Sequence, residues 1–237
     1  PYTTLFRSAS YIGENAFENC LGDDKWNIVF HIGLKSIGRQ AFYECYTLEE
    51  VSFPNSVITI GNNAFERTLW YMNQPDGIVY AGKSIYKYKG EMAANTHHSI
   101  SDGTLGICDL AFRGCAGLET LSIPQSVTYI GSGAFRDCAN LSSVTILCSP
   151  SAYSPAFAGC SSLEKVVFDC EIVTKLFDFR NSENVDCNVV MTNKVKTIAD
   201  YAFEWSELKS LTIPNSVTTI GKEAFRWSSC VTSFPNS

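Results

Sequence analysis

Ten cysteines and three histidines have the widest chemical reach in this 237-residue chain. Thiolates and imidazoles act as nucleophiles and metal ligands, and paired thiols close disulfides. Their spacing argues against the usual uses. There is no C-x-x-C, and no histidine falls at ligand spacing from any cysteine, so zinc is not indicated. His97 and His98 are adjacent, and neighbouring side chains of an extended segment point to opposite faces. They make a poor chelate and read as part of a solvated loop. No Ser/His/Asp order, paired-carboxylate cleft or glycine-rich phosphate loop is present to build an active site. The chain reads as non-enzymatic, with no cofactor and no metal.

The cysteines follow a different rule. Cys20, Cys45, Cys115, Cys138 and Cys160 each stand three residues after a phenylalanine, and Thr68, Ser206 and Ser228 take that place elsewhere. The position asks for a small, weakly polar residue, which suits buried free thiols better than bridges. The phenylalanines they follow are themselves periodic. Ala-Phe recurs at Phe17, Phe42, Phe65, Phe112, Phe135, Phe157, Phe203 and Phe225, with gaps of 25, 23, 47, 23, 22, 46 and 22 residues. Two gaps are nearly double the rest, so one degenerate unit sits inside each. In the second, Leu176-Phe177 occupies the place of Ala134-Phe135, whereas the first does not align.

The units superimpose on L-x-x-(V/L)-x-(I/F)-P-x-S-V-x-x-I-G-x-x-A-F-x-x-C, best seen in Leu48 to Phe65, Leu118 to Phe135 and Leu208 to Phe225. Val51/Phe53, Leu121/Ile123 and Leu211/Ile213 alternate with polar residues, as in a half-buried strand. Pro54, Pro124 and Pro214 end that strand. Gly61, Gly131 and Gly221 read as the place where the chain reverses direction, and the Gly-x-x-Ala-Phe run suits one or two turns of helix. One unit cannot bury its own apolar edge, whereas a stack shares a core in which each Phe rests on the next. In such a stack Cys148 and Cys170 lie in adjacent coils about 4.8 Å apart, within disulfide reach, although stacked identical residues more often face the same way unbonded.

These residues resemble the BspA-like type of leucine-rich repeat, and the resemblance covers most of the chain. It implies an α/β repeat solenoid of the leucine-rich-repeat type, a right-handed superhelix with one parallel sheet, short helical turns on another face and, here, an inserted β-hairpin. It also implies an extracellular or cell-surface location and adhesion to a host or matrix protein, with a passive stalk or a carbohydrate-binding module as the alternatives. No catalytic residue is carried over, because the family has none to transfer. Cys108, Tyr153 and Ala199 depart from the pattern by replacing its glycine. A parallel β-helix has a similar coil length but would lack the helical turns.

Pro1 to Arg7 does not fit the repeat and reads as a non-native or disordered start. Residues 8–237 read as a single solenoid with degenerate units at about 69–106 and 169–194, ending in mid-repeat. With neither an initiator Met nor a leader, the chain is expected to be an internal piece or one whose signal was removed. A net charge of −6 spread along the chain gives no nucleic-acid footprint, and no apolar run is long enough for membrane insertion.

Binding residues are expected in two places. The polar strand positions form rows across the sheet: Glu50/Ser52, Thr120/Ser122, Ser143/Thr145, Lys165/Val167 and Ser210/Thr212. They are hydroxyl-rich, suited to a solvated ladder, and lack the Trp, Tyr and Arg that dominate interfaces. The first degenerate zone is richer. Ile78-Val-Tyr-Ala-Gly-Lys-Ser-Ile-Tyr-Lys-Tyr88 reads as two strands around Ala81-Gly82, with Tyr80, Tyr86, Tyr88 and nearby Trp70 beside Lys83, Lys87 and Lys89. These aromatics either pack the hairpin against its neighbours or protrude as a contact patch. Their exposure decides between the two.

Overall fold

The computed structural model describes residues 3–6, 8–20, 22–151, 155–177, 187–206, 208, 211–229 and 232–233. Each unit forms one coil: a long strand, a turn, a two-residue strand and a second turn back to the start. The long strands pair parallel in matching register, Leu121 with Val144, Val144 with Val166, Val166 with Val189 and Val189 with Leu211. In strand Ser143–Ile146, Val144 and Ile146 are buried while Ser143 and Thr145 are half-exposed, which is the alternation expected of one buried face. The short strands stack likewise, Ile37 between Ile12 and Ile60, and Ile107 beside Ile130. Thr3–Phe6, which the repeat pattern leaves outside the array, pairs in parallel with Asn27–Phe30 at a separation of 24 residues, one period.

The core is the predicted ladder of rings. Phe17, Phe42 and Phe65 stack at 5.0 and 5.2 Å, Phe112, Phe135, Phe157 and Phe177 at 5.1, 4.8 and 4.4 Å, and Phe203 and Phe225 at 5.4 Å, all within 12° of parallel. Leu176-Phe177 takes the predicted place, since the Phe177 ring stacks on Phe157, although Leu176 C=O accepts the Ala156 N–H at 2.8 Å where regular coils take the Phe N–H. Each fully buried Phe contributes about 2 kcal/mol of transfer free energy, as does each buried Val, Leu or Ile of the flanking strand ladders.

The Gly-x-x-Ala-Phe runs are not helices. Their backbone N–H groups alternate between two partners: Ala41 and Tyr43 donate three residues back, to Gly38 and Gln40, while Gln40, Phe42 and Glu44 donate to Asn62, Ala64 and Glu66 of the next coil. Stacking therefore takes every second donor a helix would use. The chain follows with positive φ at Gln40 (53°) and Glu44 (61°), and at Asn63 (58°) and Arg67 (63°) one coil on. The conserved glycine also has another reason than chain reversal. Gly61 and Gly131 do not have positive φ, but a Cβ on either would stand 2.5 Å from a backbone nitrogen of the preceding coil, Arg39 or Asp109. They are glycine because the coils approach that closely. Tyr153 lies outside the described residues.

The first degenerate zone breaks the sheet. Leu69–Met72 forms a helix that packs against strand Leu48–Ser52, so the long strands divide into a three-stranded and a seven-stranded sheet instead of one. Thr68 caps its start, its hydroxyl accepting the Tyr71 N–H at 3.1 Å. Lys89 Nζ donates to the carbonyls of Tyr71, Met72 and Gln74 at its end. The hairpin is present as strands Gly77–Ala81 and Ser84–Lys89, antiparallel around Gly82. It is built in rather than appended: Ser84 and Ile85 pair in parallel with Gly106 and Ile107, taking the place of a short strand.

Candidate functional site

The seven-stranded face gathers part of the predicted rows. Thr120, Ser143 and Lys165 are register partners, as are Ser122, Thr145 and Val167. Glu50 and Ser52 lie on the three-stranded sheet, beyond the helix, where Glu50 accepts from Asn27 Nδ2 at 3.0 Å. Thr212 is exposed on strand Leu211–Thr212, and Ser210 lies outside the described residues. The sequence reading missed His97 and Ser99. Their segment is strand Thr96–Ser99, not a solvated loop, and it extends the rows through His97 against Thr120 and Ser99 against Ser122. His97 Nδ1 lies 3.0 Å from the Thr120 hydroxyl, and Nε2 lies 3.9 Å from Glu119. His98 turns inward to Phe112, and burial lowers its pKa.

The hairpin aromatics are mostly interior. Tyr86 and Trp70 are buried, and Tyr88 is half-buried, 6.1 Å from the Phe112 ring. Tyr86 Oη accepts the Phe65 N–H at 3.0 Å. In other coils that donor goes to the alanine carbonyl of the next coil, as Phe42 to Ala64 or Phe135 to Ala156, so the tyrosine replaces a backbone acceptor that the hairpin coil does not provide. Burial and the Glu66 charge raise its pKa well above the usual value. Lys87 pairs with Glu66 at 2.5 Å and Lys89 caps the helix, both over the Tyr71 ring. The expected contact patch reduces to Tyr80, which is 39% exposed. Tyr86 is corrected from a binding candidate to a structural residue, because its ring and hydroxyl are both engaged inside.

Exposed aromatics stand elsewhere. Trp205 and Trp227, 43% and 64% exposed, stack at 5.6 Å with 21° between their planes. Both have positive φ, 62° and 55°, in the slot two residues after Phe that other coils fill with Asn19, Glu44, Arg67 or Asp137. A bulky residue rarely adopts this conformation. Arg226 lies 5.7 Å over the Trp227 ring and pairs with Glu223 at 2.7 Å, and Lys222 lies over Tyr201. The signal was visible in the sequence as Trp227 standing where the best-matched copy has Asp137.

The slot thiols form the predicted ladder. Cys45, Cys138 and Cys160 donate to the carbonyls of Phe17, Phe112 and Phe135 in preceding coils, at 2.9, 3.1 and 3.2 Å, whereas Cys20 is exposed. Cys148 and Cys170 are buried free thiols that line a cleft of about 860 Å³ together with Gln125, Thr128, Asn193, Lys194 and Lys196. Burial pushes Cys148 up to about 12 and Cys170 up to about 11. Among the described residues no three His, Cys, Asp or Glu side chains are grouped to hold a metal, and no helix is long and apolar enough to cross a membrane.

This construction, parallel strands on one face, paired coils and a ring ladder between them, defines a leucine-rich-repeat solenoid. Residues 10–96, 83–183 and 154–235 match the BspA type leucine rich repeat region in six copies, and the chain belongs to that family. Among solved structures it is similar to a leucine-rich repeat protein from Eubacterium ventriosum, at 20% identity over 99% of this chain and 84% of that one, with a TM-score of 0.47. A leucine rich cell surface protein from Faecalibacterium prausnitzii gives 20% identity over 99% and 79%, with a TM-score of 0.44. A leucine rich repeat protein from T. pallidum gives 21% over 86% and 76%, with a TM-score of 0.32. No curated protein matches the chain. Membership in this family makes it a repeat module of the protein-interaction kind.

Proposed function

We propose that the array is a non-enzymatic adhesion module, secreted or displayed at the cell surface, that binds a host or matrix protein through the ridge carrying Trp205 and Trp227. The family resemblance supports the surface location. The observation that carries the site is the exposed, stacked indole pair held in a conformation that disfavours bulky side chains. The slot imposes positive φ in every coil that stacks this way, and a bulky side chain there costs on the order of 1 kcal/mol per residue. Trp, Tyr and Arg are the side chains that dominate protein interfaces, and Tyr201 and Arg226 accompany the pair. The polar rows at Thr120, Ser122, Ser143, Thr145, Lys165 and Thr212 offer hydrogen-bonding groups on the same array.

The test uses the purified chain against coated matrix and plasma glycoproteins and, separately, against polysaccharides. A protein ligand with a Kd below about 10 µM is expected, a range typical of small interfaces. Binding should weaken at least tenfold in Trp205→Asn/Trp227→Asn, substitutions that suit positive φ and so preserve the fold. Binding to no protein makes the array a passive stalk. Binding to polysaccharide alone makes it a carbohydrate module, and protein binding unaffected by the double variant places the contact elsewhere.

A further inference from the structure

The loops after the long strands are not equal in length. From the last buried strand residue to the ladder Phe, the chain runs 12 residues in Ile123 to Phe135 and in Met191 to Phe203, but 11 in Ile146 to Phe157 and 9 in Phe168 to Phe177. Two short loops lie between full-length neighbours, and the cleft is lined beside them by Gln125 and Thr128 of the preceding coil and Asn193, Lys194 and Lys196 of the following one. Cys148 and Cys170 line it. Each lies two residues beyond a register pair, Ile146 with Phe168, and the ladder continues past that pair through the Asp169 N–H to the Ile146 carbonyl at 2.9 Å. Parallel strands in register hold equivalent Cα atoms about 4.8 Å apart, inside the 4.4 to 6.8 Å range of disulfides.

The other stacked thiols differ in a way that matters. Cys138 and Cys160 are also one coil apart, but each is sealed under the turn ridge with its S–H given to a Phe carbonyl, and neither borders the cleft. Cys148 and Cys170 are also buried, at 2% and 3% exposure, but they line the cleft, so a small reagent that enters it comes against them. Cys170 lies beside Ser149, and its sulfhydryl donates weakly to the Ile172 carbonyl at 3.4 Å.

We propose that Cys148 and Cys170 are a modification site, a coil-to-coil cross-link closed by thiol–disulfide exchange with a small disulfide such as oxidised glutathione. A Cys170 thiolate, its proton passed to water, attacks one sulfur of the reagent. The reagent S–S bond breaks, one glutathione leaves as thiolate, and a mixed disulfide forms on Cys170. The Cys148 thiolate then attacks the Cys170 sulfur, the mixed disulfide breaks, and the second glutathione leaves. Two protein thiols are oxidised by two electrons in total, and one reagent disulfide is reduced to two thiols. In an oxidising compartment such a bridge fastens the two coils with the shortest strand-to-Phe loops. The inference is independent of which partner the array binds.

The whole chain is incubated with oxidised glutathione at pH 8.5 over hours, alkylated and peptide-mapped by mass spectrometry. The expected product lacks two hydrogens and contains a peptide pair joined through Cys148 and Cys170, located by fragment ions. The exposed Cys20 should carry glutathione and serves as the control for reagent activity. Thermal denaturation of the cross-linked chain should rise by about 5 °C, return with dithiothreitol, and stay put in Cys148→Ser and Cys170→Ser. If Cys20 is modified while Cys148 and Cys170 stay free, carry separate glutathiones or bridge to other cysteines, the proposal is wrong. The wild-type map decides this even where a serine variant fails to fold.

Discussion

Replacing Tyr86 by Phe should cost more than removing a hydroxyl normally does. The ring sits in a cluster with Phe65, Trp70 and Tyr71, at 5.8, 5.9 and 5.7 Å between centroids, and Phe preserves that packing. What disappears is the acceptor for the Phe65 N–H at 3.0 Å. Phe65 is completely buried, so no water replaces the lost partner. A typical neutral hydrogen bond is worth about 1 kcal/mol net, but a buried donor left unmade costs about 1 to 3 kcal/mol. A loss of about 2 kcal/mol is expected, near thirtyfold in the opening equilibrium at this coil. Urea denaturation measures the global cost, and hydrogen exchange at the Phe65 amide measures the local one. The control is Tyr80→Phe on the same hairpin, where the ring is 39% exposed and the change should stay within about 0.5 kcal/mol. If Tyr86→Phe is no worse than Tyr80→Phe, or if Phe65 exchange is unchanged, the tyrosine does not stand in for the missing carbonyl.

Gly131→Ala should destabilise by about 1 to 3 kcal/mol despite adding one methyl group, because its Cβ would stand 2.5 Å from both the nitrogen and Oδ1 of Asp109. A urea midpoint equal to that of wild type would show that the coils are free to separate there. Stability should also fall in alkali. Burial raises Cys45 to about 11, and Cys115 and Cys187 to about 12, whereas an unfolded thiol titrates near 8.5. Above that unfolded value the unfolded chain releases protons that the folded chain keeps, so stability is fully present below about pH 8.5 and declines as pH rises toward the folded values. Urea midpoints measured under reductant at pH 7.5 and pH 10 should differ in that direction. A midpoint that holds or rises would mean that these thiols ionise freely in the fold.

Interactions that recur once per coil were legible in the sequence. The spacing of Phe112, Phe135 and Phe157 gave the ring ladder because each ring meets its own equivalent, and the alternation in Ser143–Ile146 gave the buried strand face for the same reason. The helical turns were misread at the same level. The residues Gly-x-x-Ala-Phe favour a helix within one coil, but alternate N–H groups go to the next coil, and no single unit contains that competitor. Contacts between non-equivalent residues were not legible at all. Tyr86 to Phe65 and Lys89 to the end of the helix Leu69–Met72 connect a departed coil to a regular one, and no period relates them. The tryptophans fall between these cases. Trp205 and Trp227 occupy a periodic slot, so their position could be predicted, but the slot requires positive φ and favours Asn or Asp. What the slot's preference does not foretell is that occupants of two successive coils meet, as Trp205 stacks on Trp227 at 5.6 Å and Arg67 pairs with Glu44 at 2.6 Å, because each contact depends on both copies departing together.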